Sequence, residues 1–270
     1  MSKPNENIDI AFSSCPNDTF VFHAMMNNLV DTRGLFFSGH IDDVESLNSQ
    51  AKIGAYQVTK LSFAAWLRLK DKYELLDSGA ALGFGCGPLL VAHSHDVSVE
   101  DAIIAVPGID TTANMLLRLR YPHAKNTTIA RFDEILPGIR DGRFDAGVII
   151  HEGRFVFKDY GCVQIIDLGE WWEDQTSSPI PLGCIAIRRD AETMVYKEAI
   201  ESIIRDSVKY AFKNPLASRE YVKSLAQEMD NKVIDQHIRL YVNEFTISLG
   251  DKGREAVKKL EEMSRCMRAL

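Results

Sequence analysis

The sequence predicts an α/β protein of two lobes, with two crossings between the lobes, and three observations indicate this fold class. Short apolar segments alternate with helical patterns, which is typical of largely parallel sheets. A glycine-rich stretch, AALGFGCG, precedes a fresh strand-helix series that begins near residue 103. Beyond residue 191 the pattern is helical throughout, so we expect these last helices to pack back onto the first lobe.

The first lobe begins with the apolar strand IDIAF at 8–12 and the turn SSCPND. We predict a helix near 18–29 that Asn17 or Asp18 could cap, because these residue types are preferred at that position. The elements that complete this lobe are predicted as a helix near 43–51, a strand at 57–61, a helix capped by Ser62, and strands near 73–78 and 87–93.

The second lobe is predicted from IIAVPG at 103–108, followed by a helix from Thr111 to Arg120. TTIARF, DEILPGIRDG and DAGVIIH continue as strand, helix and strand, and CVQIIDL is a further strand. GEWWEDQTSSPIP is expected to be a polar loop, before the returning strand LGCIAIRR. The lobes are therefore predicted as 1–90 plus 184–270 (larger) and 91–183 (smaller), with a ligand cleft between them.

The helical tail has its own signals. In KEAIESIIRDSVKYAF one face carries six apolar side chains: Ile200, Ile203, Ile204, Val208, Ala211 and Phe212. Asn214-Pro215 is predicted to start the next helix, since Asn suits the cap and Pro the first helical position. VIDQHIRLYVNEF and the segment 253–270 are amphipathic as well.

Composition excludes several classes of partner. The 270 residues are 46% hydrophobic and 26% charged, with a net charge of −7, so the chain has no electrostatic reason to bind nucleic acid or an anionic membrane. We find neither an apolar amino-terminal stretch of signal-peptide length nor an apolar run of about 18 residues. Five unclustered cysteines suit a reducing compartment, so a cytoplasmic protein is expected.

Three loops place small polar residues between a strand and the start of a helix: Ser13–Asp18, Lys60–Ser62 and Thr111–Thr112. A helix amino terminus favours carboxylates and other anions, because it has free N–H groups and a partial positive charge. These loops are therefore candidate ligand sites. The alternative is that Ser62, Thr111 and Asn17 are plain helix caps.

His151 follows the strand DAGVII, where a side chain could reach a cleft, and an imidazole is a suitable general base near neutral pH. A surface histidine is the alternative. The Asp42, Asp43 and Glu45 cluster is interpreted as first-turn helix charge, and Trp171-Trp172 as either a cleft wall or a cover for a sheet edge. His93 and His95 lack further metal ligands, and GxGxxG and Walker A motifs are absent, so neither metal nor nucleotide cofactor is expected.

Eight strings in order along the chain resemble one enzyme family, the 1,4-dihydroxy-6-naphthoate synthases of the futalosine route to menaquinone. They are SSCPNDTF (13–20), DDVESLN (42–48), TKLSFAA (59–65), GFGCGPLLVA (83–92), VPGIDTTA (106–113), DEILPGI (133–139), GVIIHEGRF (147–155) and DLGEWWE (167–173). The main departure is Ser14, where the family pattern has proline.

The resemblance implies a two-lobed type II periplasmic-binding-protein-like fold and a cofactor-independent carbon–carbon lyase. Its small-molecule substrate, cyclic dehypoxanthinylfutalosine, carries an aromatic carboxylate and yields 1,4-dihydroxy-6-naphthoate. The family's catalytic histidine corresponds to His151. Its substrate contacts correspond to Asn48, Lys60, Leu61, Ser62, Thr111 and Thr112.

Three rival functions remain open at this point: a non-catalytic solute-binding protein, the ligand-sensing module of a regulator, and chorismate dehydratase of the same route. The missing signal peptide weighs against the first, and the lack of room for a DNA-binding segment weighs against the second. The IIHE string favours the synthase over the dehydratase.

Overall fold

The protein is built around two β-sheets. The computed structural model describes residues 7–226 and 230–268, with side chains up to residue 265. Residue contacts divide the chain into two compact units. The first unit is Met1–Leu82 with Gly183–Asp251, and the second is Gly83–Leu182 with Lys252–Leu270. The lobe boundaries 1–90 plus 184–270 and 91–183 stay a prediction. The contacts place residues 83–90 and 252–270 in the second unit.

Eleven strands are described, numbered in chain order. They are β1 Asn7–Phe12, β2 Phe36–Ile41, β3 Val58–Ser62, β4 Tyr73–Leu75, β5 Ala81–Gly83, β6 Leu89–Ala92, β7 Ile104–Val106, β8 Thr127–Ile129, β9 Ala146–Ile149, β10 Val163–Asp167 and β11 Ile180–Arg188.

Thirteen α-helices are described, with a short 3₁₀ helix at Phe157–Tyr160. They are α1 Pro16–Met26, α2 Val44–Lys52, α3 Phe63–Arg68, α4 Thr112–Arg120, α5 Phe132–Arg140, α6 Gly153–Val156, α7 Leu168–Thr176, α8 Ala191–Met194, α9 Lys197–Lys213, α10 Arg219–Leu225, α11 Asn231–Tyr241, α12 Glu244–Ile247 and α13 Gly250–Arg268.

The first sheet has the order β2-β1-β3-β11-β4, and β5 pairs with β11. Strand β1 lies parallel to β2 and β3, whereas the returning strand β11 is antiparallel to β3. Apolar residues of β1 and β11, including Ile8, Ile10 and Ile185, join helices α1 and α9 in one buried core. Helices α9, α10 and α11 all pack on α1, so the predicted return of carboxy-terminal helices to the first part of the chain is confirmed for these three.

The second sheet has the order β10-β6-β9-β7-β8. Strand β7 lies parallel to both β8 and β9, while β6 is antiparallel to β9 and β10. Gly147 on β9 lets helix α5 lie close to the sheet, since a Cβ there would be 2.3 Å from Ile135 Cγ2. Helix α13 contributes to this unit through Lys259, whose Nζ donates to Thr176 O at 2.9 Å and Ser178 Oγ at 2.8 Å.

The strands predicted in both lobes are present, but the turn after β1 differs from the prediction. Helix α1 begins at Pro16, with Cys15 at the cap position, so neither Asn17 nor Asp18 caps it. Proline is well suited to the first turn of a helix because that turn does not use its missing N–H. The prediction was wrong because it assigned local capping to Asp18, which binds tertiary partners instead.

The prediction of a polar loop after the CVQIIDL strand is also wrong. Residues Leu168–Thr176 form helix α7, capped by Asp167, which accepts hydrogen bonds from Gly169 N at 2.8 Å and Glu170 N at 3.1 Å. Leu168 and Trp172 are fully buried one helical turn apart. Trp172 Nε1 donates to the Ser178 and Pro179 carbonyls, so this side chain belongs to the interior of the unit.

Four smaller differences follow from tertiary packing. The strand Phe36–Ile41 was not predicted, because four of its six residues are exposed and its apolar pattern is weak. Asn214-Pro215 does not start a helix; the next one begins at Arg219. Phe212 is 44% exposed and does not share the buried face of α9. Ala81–Gly83, expected in an irregular crossing, is a short strand paired with β11.

None of the helices within residues 7–226 and 230–268 is both long enough and apolar enough to cross a membrane.

Candidate active site

Lys60 forms a buried ion pair with Asp18 at the carboxyl ends of two neighbouring parallel strands. Lys60 lies near the end of β3 and Asp18 in the first turn of the helix after β1, and these strands are hydrogen-bonded. Their side chains are 6% and 3% exposed. Apart from Asp18, the described residues offer the Lys60 ammonium no acceptor, so two of its three N–H groups are unused.

Asp18 is the centre of a larger buried network. Its Oδ2 accepts from Ser13 Oγ at 2.7 Å and Ser13 N at 3.2 Å, and its Oδ1 accepts from Asn17 Nδ2 at 2.8 Å. Asn17 Oδ1 lies 3.0 Å from Nε2 of His237, which is fully buried on α11. Because Asp18 is held from several directions, the position of the Lys60 ammonium is fixed by the fold.

Ser62 ends β3 at the start of α3. Its main-chain N–H donates to Asn48 Oδ1 at 3.0 Å, and Asn48 Nδ2 donates to Glu45 Oε2 at 3.1 Å. Asn48 is fully buried, so it orients the Ser62 main chain from helix α2. The Ser62 hydroxyl neither caps α3 nor has another hydrogen-bond partner among the described residues, although Ser62 is only 4% exposed.

Leu61 is fully buried in the sheet, opposite Cys184 of β11. Its side chain packs in the interior. On the same pair of strands Gly183 faces Lys60, because a Cβ built on Gly183 would be 2.8 Å from Lys60 Cε. The missing side chain of Gly183 therefore makes the space that the Lys60 side chain occupies.

Thr111 and Thr112 open helix α4 in the second unit, and both hydroxyls are used within the protein. Thr111 Oγ1 caps the helix by accepting from Asn114 N at 3.1 Å, and it donates to Gly108 O at 2.9 Å. Thr112 Oγ1 donates to Leu182 O at 3.0 Å. Thr111 thus behaves as the helix cap that the sequence left as an alternative, and ligand contacts would fall to the main chain or to the remaining hydroxyl lone pairs.

His151 lies two residues beyond the end of β9 and has a left-handed backbone, with φ of 55°. This conformation is uncommon for a residue other than glycine, and such residues concentrate at functional sites. The imidazole packs edge-on against the ring of Phe132, with 5.1 Å between centroids and 75° between planes. His151 is half-buried, so it is restrained yet accessible.

The second sheet brings these residues to one edge. Strands β7, β8 and β9 run parallel, and Thr111, Phe132 and His151 follow their respective carboxyl ends. In open α/β sheets this edge is where ligands bind. Within the second unit the structure therefore groups Thr111, Thr112 and His151, and within the first unit it groups Asn48, Lys60, Leu61 and Ser62.

Sequence reasoning missed Arg154, three residues after His151. Arg154 Nη1 donates to Gly87 O at 2.6 Å, and Nη2 pairs with Asp167 Oδ2 at 2.5 Å. Asp167 is buried and also caps α7, so Arg154 ties the segment after His151 to two other parts of the unit. The sequence signal was the arginine in the string HEGRF, but nothing in the sequence identifies Gly87 and Asp167 as its partners.

The described residues give little support to catalysis by a metal ion or by a cysteine nucleophile. No group of three or more His, Cys, Asp or Glu residues that could hold a metal lies in residues 7–226 or 230–268. Cys15, Cys86, Cys162 and Cys184 are buried and form no disulfide, and burial raises the pKa of Cys86 to about 12. A neutral thiol is a poor nucleophile, so Cys86 is unsuited to covalent catalysis. The Cys266 side chain lies outside the described residues.

A family model described as menaquinone biosynthesis matches residues 8–265. The chain belongs to this family. A relative from Thermus thermophilus, named 1,4-dihydroxy-6-naphtoate synthase, is 42% identical over 255 residues, which cover 94% of this chain and 93% of the relative. The resemblance inferred from the eight strings is confirmed, and the chain is an enzyme of menaquinone biosynthesis.

Two solved structures define the fold of this menaquinone-biosynthesis family member. A protein from Archaeoglobus fulgidus matches with a TM-score of 0.92 and 36% identity, covering 99% of this chain and 100% of that one. The alkanesulfonate-binding protein SsuA from Xanthomonas axonopodis pv. citri, bound to MOPS, matches with a TM-score of 0.72 and 12% identity, covering 100% and 96%. The periplasmic-binding-protein-like fold class is therefore confirmed.

Proposed function

We propose that this enzyme converts cyclic dehypoxanthinylfutalosine to 1,4-dihydroxy-6-naphthoate, as a carbon–carbon lyase that needs no cofactor. The observation that carries the proposal is His151, held in a left-handed backbone at the carboxyl end of β9 beside the start of α4. The 42% identity to a relative named for this activity supports the assignment.

In this proposal His151 is the general base. An imidazole accepts a proton near neutral pH and returns it, which suits a reaction that opens a sugar-derived ring and makes a new ring aromatic. Gain of aromaticity supplies the driving force. The edge-on packing of His151 against Phe132 restricts the ring to few orientations, so the accepting nitrogen would be held in place for the transfer.

Lys60 and Ser62 are proposed to bind the aromatic carboxylate of the substrate. Lys60 has two unused N–H groups and Ser62 an unused hydroxyl, and both residues are buried. A carboxylate that accepted these donors would make charge-assisted hydrogen bonds, which are shorter and stronger than neutral ones. Asp18 would keep Lys60 in place, and Asn48 would do the same for the Ser62 main chain.

Asn48, Leu61, Thr111 and Thr112 complete the proposed set of substrate contacts. Main-chain groups of Leu61 would serve as contacts because its side chain is buried. The amino terminus of α4, with Thr111 and Thr112, would stabilise negative charge that develops during the reaction. We further propose a cytoplasmic location, which is supported by four buried cysteines that form no disulfide.

Incubation of the purified enzyme with cyclic dehypoxanthinylfutalosine, followed by mass spectrometry of the products, tests this proposal. We expect the naphthoate product to form, and to form equally after dialysis against a strong chelator. Chorismate is the control substrate, because the chorismate dehydratase alternative predicts that it alone is consumed. If neither compound changes but one binds, the solute-binding alternative is favoured and the proposal is wrong.

A further inference from the structure

His237 lies on helix α11, 220 positions beyond the residue of helix α1 that its imidazole contacts. Its Nε2 is 3.0 Å from Asn17 Oδ1, and both residues are buried. Helix α11 packs against α1 in the first unit, so the contact belongs to one compact part of the protein. An imidazole is costly to bury without polar partners, whereas an apolar side chain has no such need. The contact with Asn17 is therefore what distinguishes His237 from a packing residue.

The direction of each hydrogen bond in this chain of contacts follows from its far end. Asp18 Oδ1 pairs with the Lys60 ammonium, so it accepts hydrogen bonds. The Asn17 atom that lies 2.8 Å from Asp18 Oδ1 must then be the amide nitrogen, which leaves Asn17 Oδ1 facing His237. An amide oxygen only accepts, so Nε2 of His237 must carry a hydrogen and donate it. An ion pair two contacts away thus determines where this imidazole holds a hydrogen.

Asp18 has all of its acceptor capacity in use. Its Oδ1 accepts from Asn17 Nδ2 and Lys60 Nζ, and its Oδ2 accepts from the main chain and hydroxyl of Ser13. These bonds fill the roughly four lone-pair positions that a carboxylate offers. The carboxylate cannot rotate without breaking one of them, so it holds the Lys60 ammonium in one place. Among these donors, Asn17 is the one that His237 orients from helix α11.

We propose that His237 is a positioning residue, which acts through Asn17 and Asp18 to hold the Lys60 ammonium in place for the carboxylate of the substrate. The inference rests on the proposed function, in which Lys60 binds that carboxylate. If His237 donated no hydrogen, Asn17 Oδ1 would lose its donor in a buried position, which is costly. The amide would turn away and release Asp18 Oδ1, and the Lys60 ammonium would shift with its partner.

Calorimetric binding of 1,4-dihydroxy-6-naphthoate and of its 6-carboxamide, with air excluded, tests this chain of contacts. The two ligands differ only at the carboxylate, so the ratio of their affinities measures what the Lys60 ammonium contributes. The unmodified protein should prefer the naphthoate about ten- to a hundredfold, as expected for a hydrogen bond to a charged group. His237→Phe keeps a ring but removes the donor. It should reduce this preference about tenfold and leave the affinity for the carboxamide nearly unchanged.

Steady-state kinetics separates positioning from catalysis. Lys60 would hold the carboxylate equally in the bound substrate and in the transition state, so His237→Phe should raise the KM with kcat nearly unchanged. His237→Gln, whose amide N–H can replace the Nε2 donor, should restore most of the affinity. Asn17→Ala breaks the chain one contact nearer to Lys60 and should match His237→Phe. It provides the same test if His237→Phe does not fold.

Ile234→Val is the matched control, because Ile234 is buried one turn earlier on the same helix and has an apolar side chain. It should lower the stability of the protein and leave the affinity ratio of the two ligands unchanged. If the unmodified protein prefers the naphthoate but His237→Phe or Asn17→Ala keeps that preference, this inference is wrong and the proposed role of Lys60 stands. If the unmodified protein binds both ligands equally, the proposed carboxylate contact is wrong and the inference fails with it.

Discussion

His151 combines an uncommon backbone conformation with a position at the carboxyl end of β9. A left-handed φ in a residue with a side chain costs of order 1–3 kcal/mol, and such strain persists where the surrounding structure imposes it. Here the imidazole packs against the Phe132 ring, and Arg154, three residues later, is bound to Gly87 and Asp167. The arrangement fits a side chain that is positioned for proton transfer.

His151→Asn should fold and bind substrate but lose at least about a hundredfold in kcat, the lower bound for general base catalysis. Asparagine tolerates the left-handed backbone and keeps a hydrogen-bonding group, so the loss would report proton transfer. The wild-type rate should fall at acidic pH, because only a neutral imidazole can accept a proton. The residual rate of the variant should lack this acidic limb.

His123→Asn is the control for this experiment, since His123 is exposed in a turn of the same unit. It should keep the wild-type rate and pH profile. A His151→Asn variant with near-normal turnover and the same acidic limb would place the base elsewhere.

Gly183→Ala should raise the KM about ten- to a hundredfold and should also destabilise the fold. The new Cβ would lie 2.8 Å from Lys60 Cε, so the lysine must shift, and this disturbs its buried ion pair with Asp18. The ammonium would then leave its proposed place against the substrate carboxylate, with the loss of a charged hydrogen bond. Gly39→Ala is a matched control, because its Cβ would meet the flexible end of Met26 at 2.7 Å. An equal KM in both variants would contradict the role of Lys60.

Helix starts in this protein fall into two groups that their sequences do not distinguish. At α2, α4, α7 and α8 a side-chain oxygen of the cap residue accepts main-chain N–H groups. At α3 the cap position is held by Ser62, whose hydroxyl does not take part. A hydroxyl in use as a cap contributes stability, whereas an unused buried hydroxyl is available to a ligand.

Thr111→Val should therefore change mainly the stability of the protein, whereas Ser62→Ala should change mainly the KM. Loss of the Thr111 cap should lower the free energy of unfolding by about 0.5–2 kcal/mol, because Asn114 N loses its acceptor. Ser62→Ala should leave the free energy of unfolding nearly unchanged but raise the KM. Urea denaturation and steady-state kinetics on both variants measure the two effects. A destabilised Ser62→Ala with normal KM would show that Ser62 is structural.

Asp190 makes the stability of the α8 region depend on pH. Partial burial raises its pKa, but hydrogen bonds from Arg188 and Thr193 outweigh burial and lower the pKa to about 2. Because the folded-state pKa lies below the unfolded value of about 3.9, the carboxylate stabilises the fold above pH 4. That contribution is lost as the pH falls towards 2.

Asp190→Asn should accordingly be less stable than the wild type at pH 7, and the difference should shrink at pH 3. Urea denaturation at both values measures it. Asp174→Asn, at an exposed carboxylate with no ion pair among the described residues, should show no such change. A difference that is the same at pH 7 and pH 3 would contradict the assignment of the low pKa to Asp190.

The four cysteines whose side chains the structure describes share one property, which is burial. Cys15, Cys86, Cys162 and Cys184 are all buried, and burial raises the pKa of Cys86 to about 12 and also raises the pKa of Cys162 and Cys184. Thiol reagents attack the thiolate, so native protein should react slowly.

A Cys266→Ser variant isolates these four thiols for labelling with a disulfide reagent at pH 8. We expect negligible fast labelling of the folded variant and four reactive thiols after denaturation in urea. Fast labelling of any of the four under native conditions would show that its surroundings open readily.

The sequence by itself determined the α/β class, the family and the order of most strands and helices. The periodicity of apolar residues and the short apolar runs identify β1, β3, β7, β9 and β11. These strands are largely buried, so their sequences carry a strong hydrophobic pattern. The prediction failed for β2, because its apolar pattern is weak. It also failed for α7, because most residues around its buried Leu168 and Trp172 are polar. Sequence also singled out His151 and the loops at Lys60–Ser62 and Thr111–Thr112.

Tertiary structure alone decided what the polar side chains of those loops do. Asp18 pairs with Lys60, 42 positions away, and Gly183 makes room for the same lysine from β11. Thr111 and Asp18 are both ordinary capping residues by type, yet one caps a helix and the other holds an ammonium. The physical reason is that a capping preference is local, whereas the choice between a cap and a buried partner depends on which distant strand folds beside it.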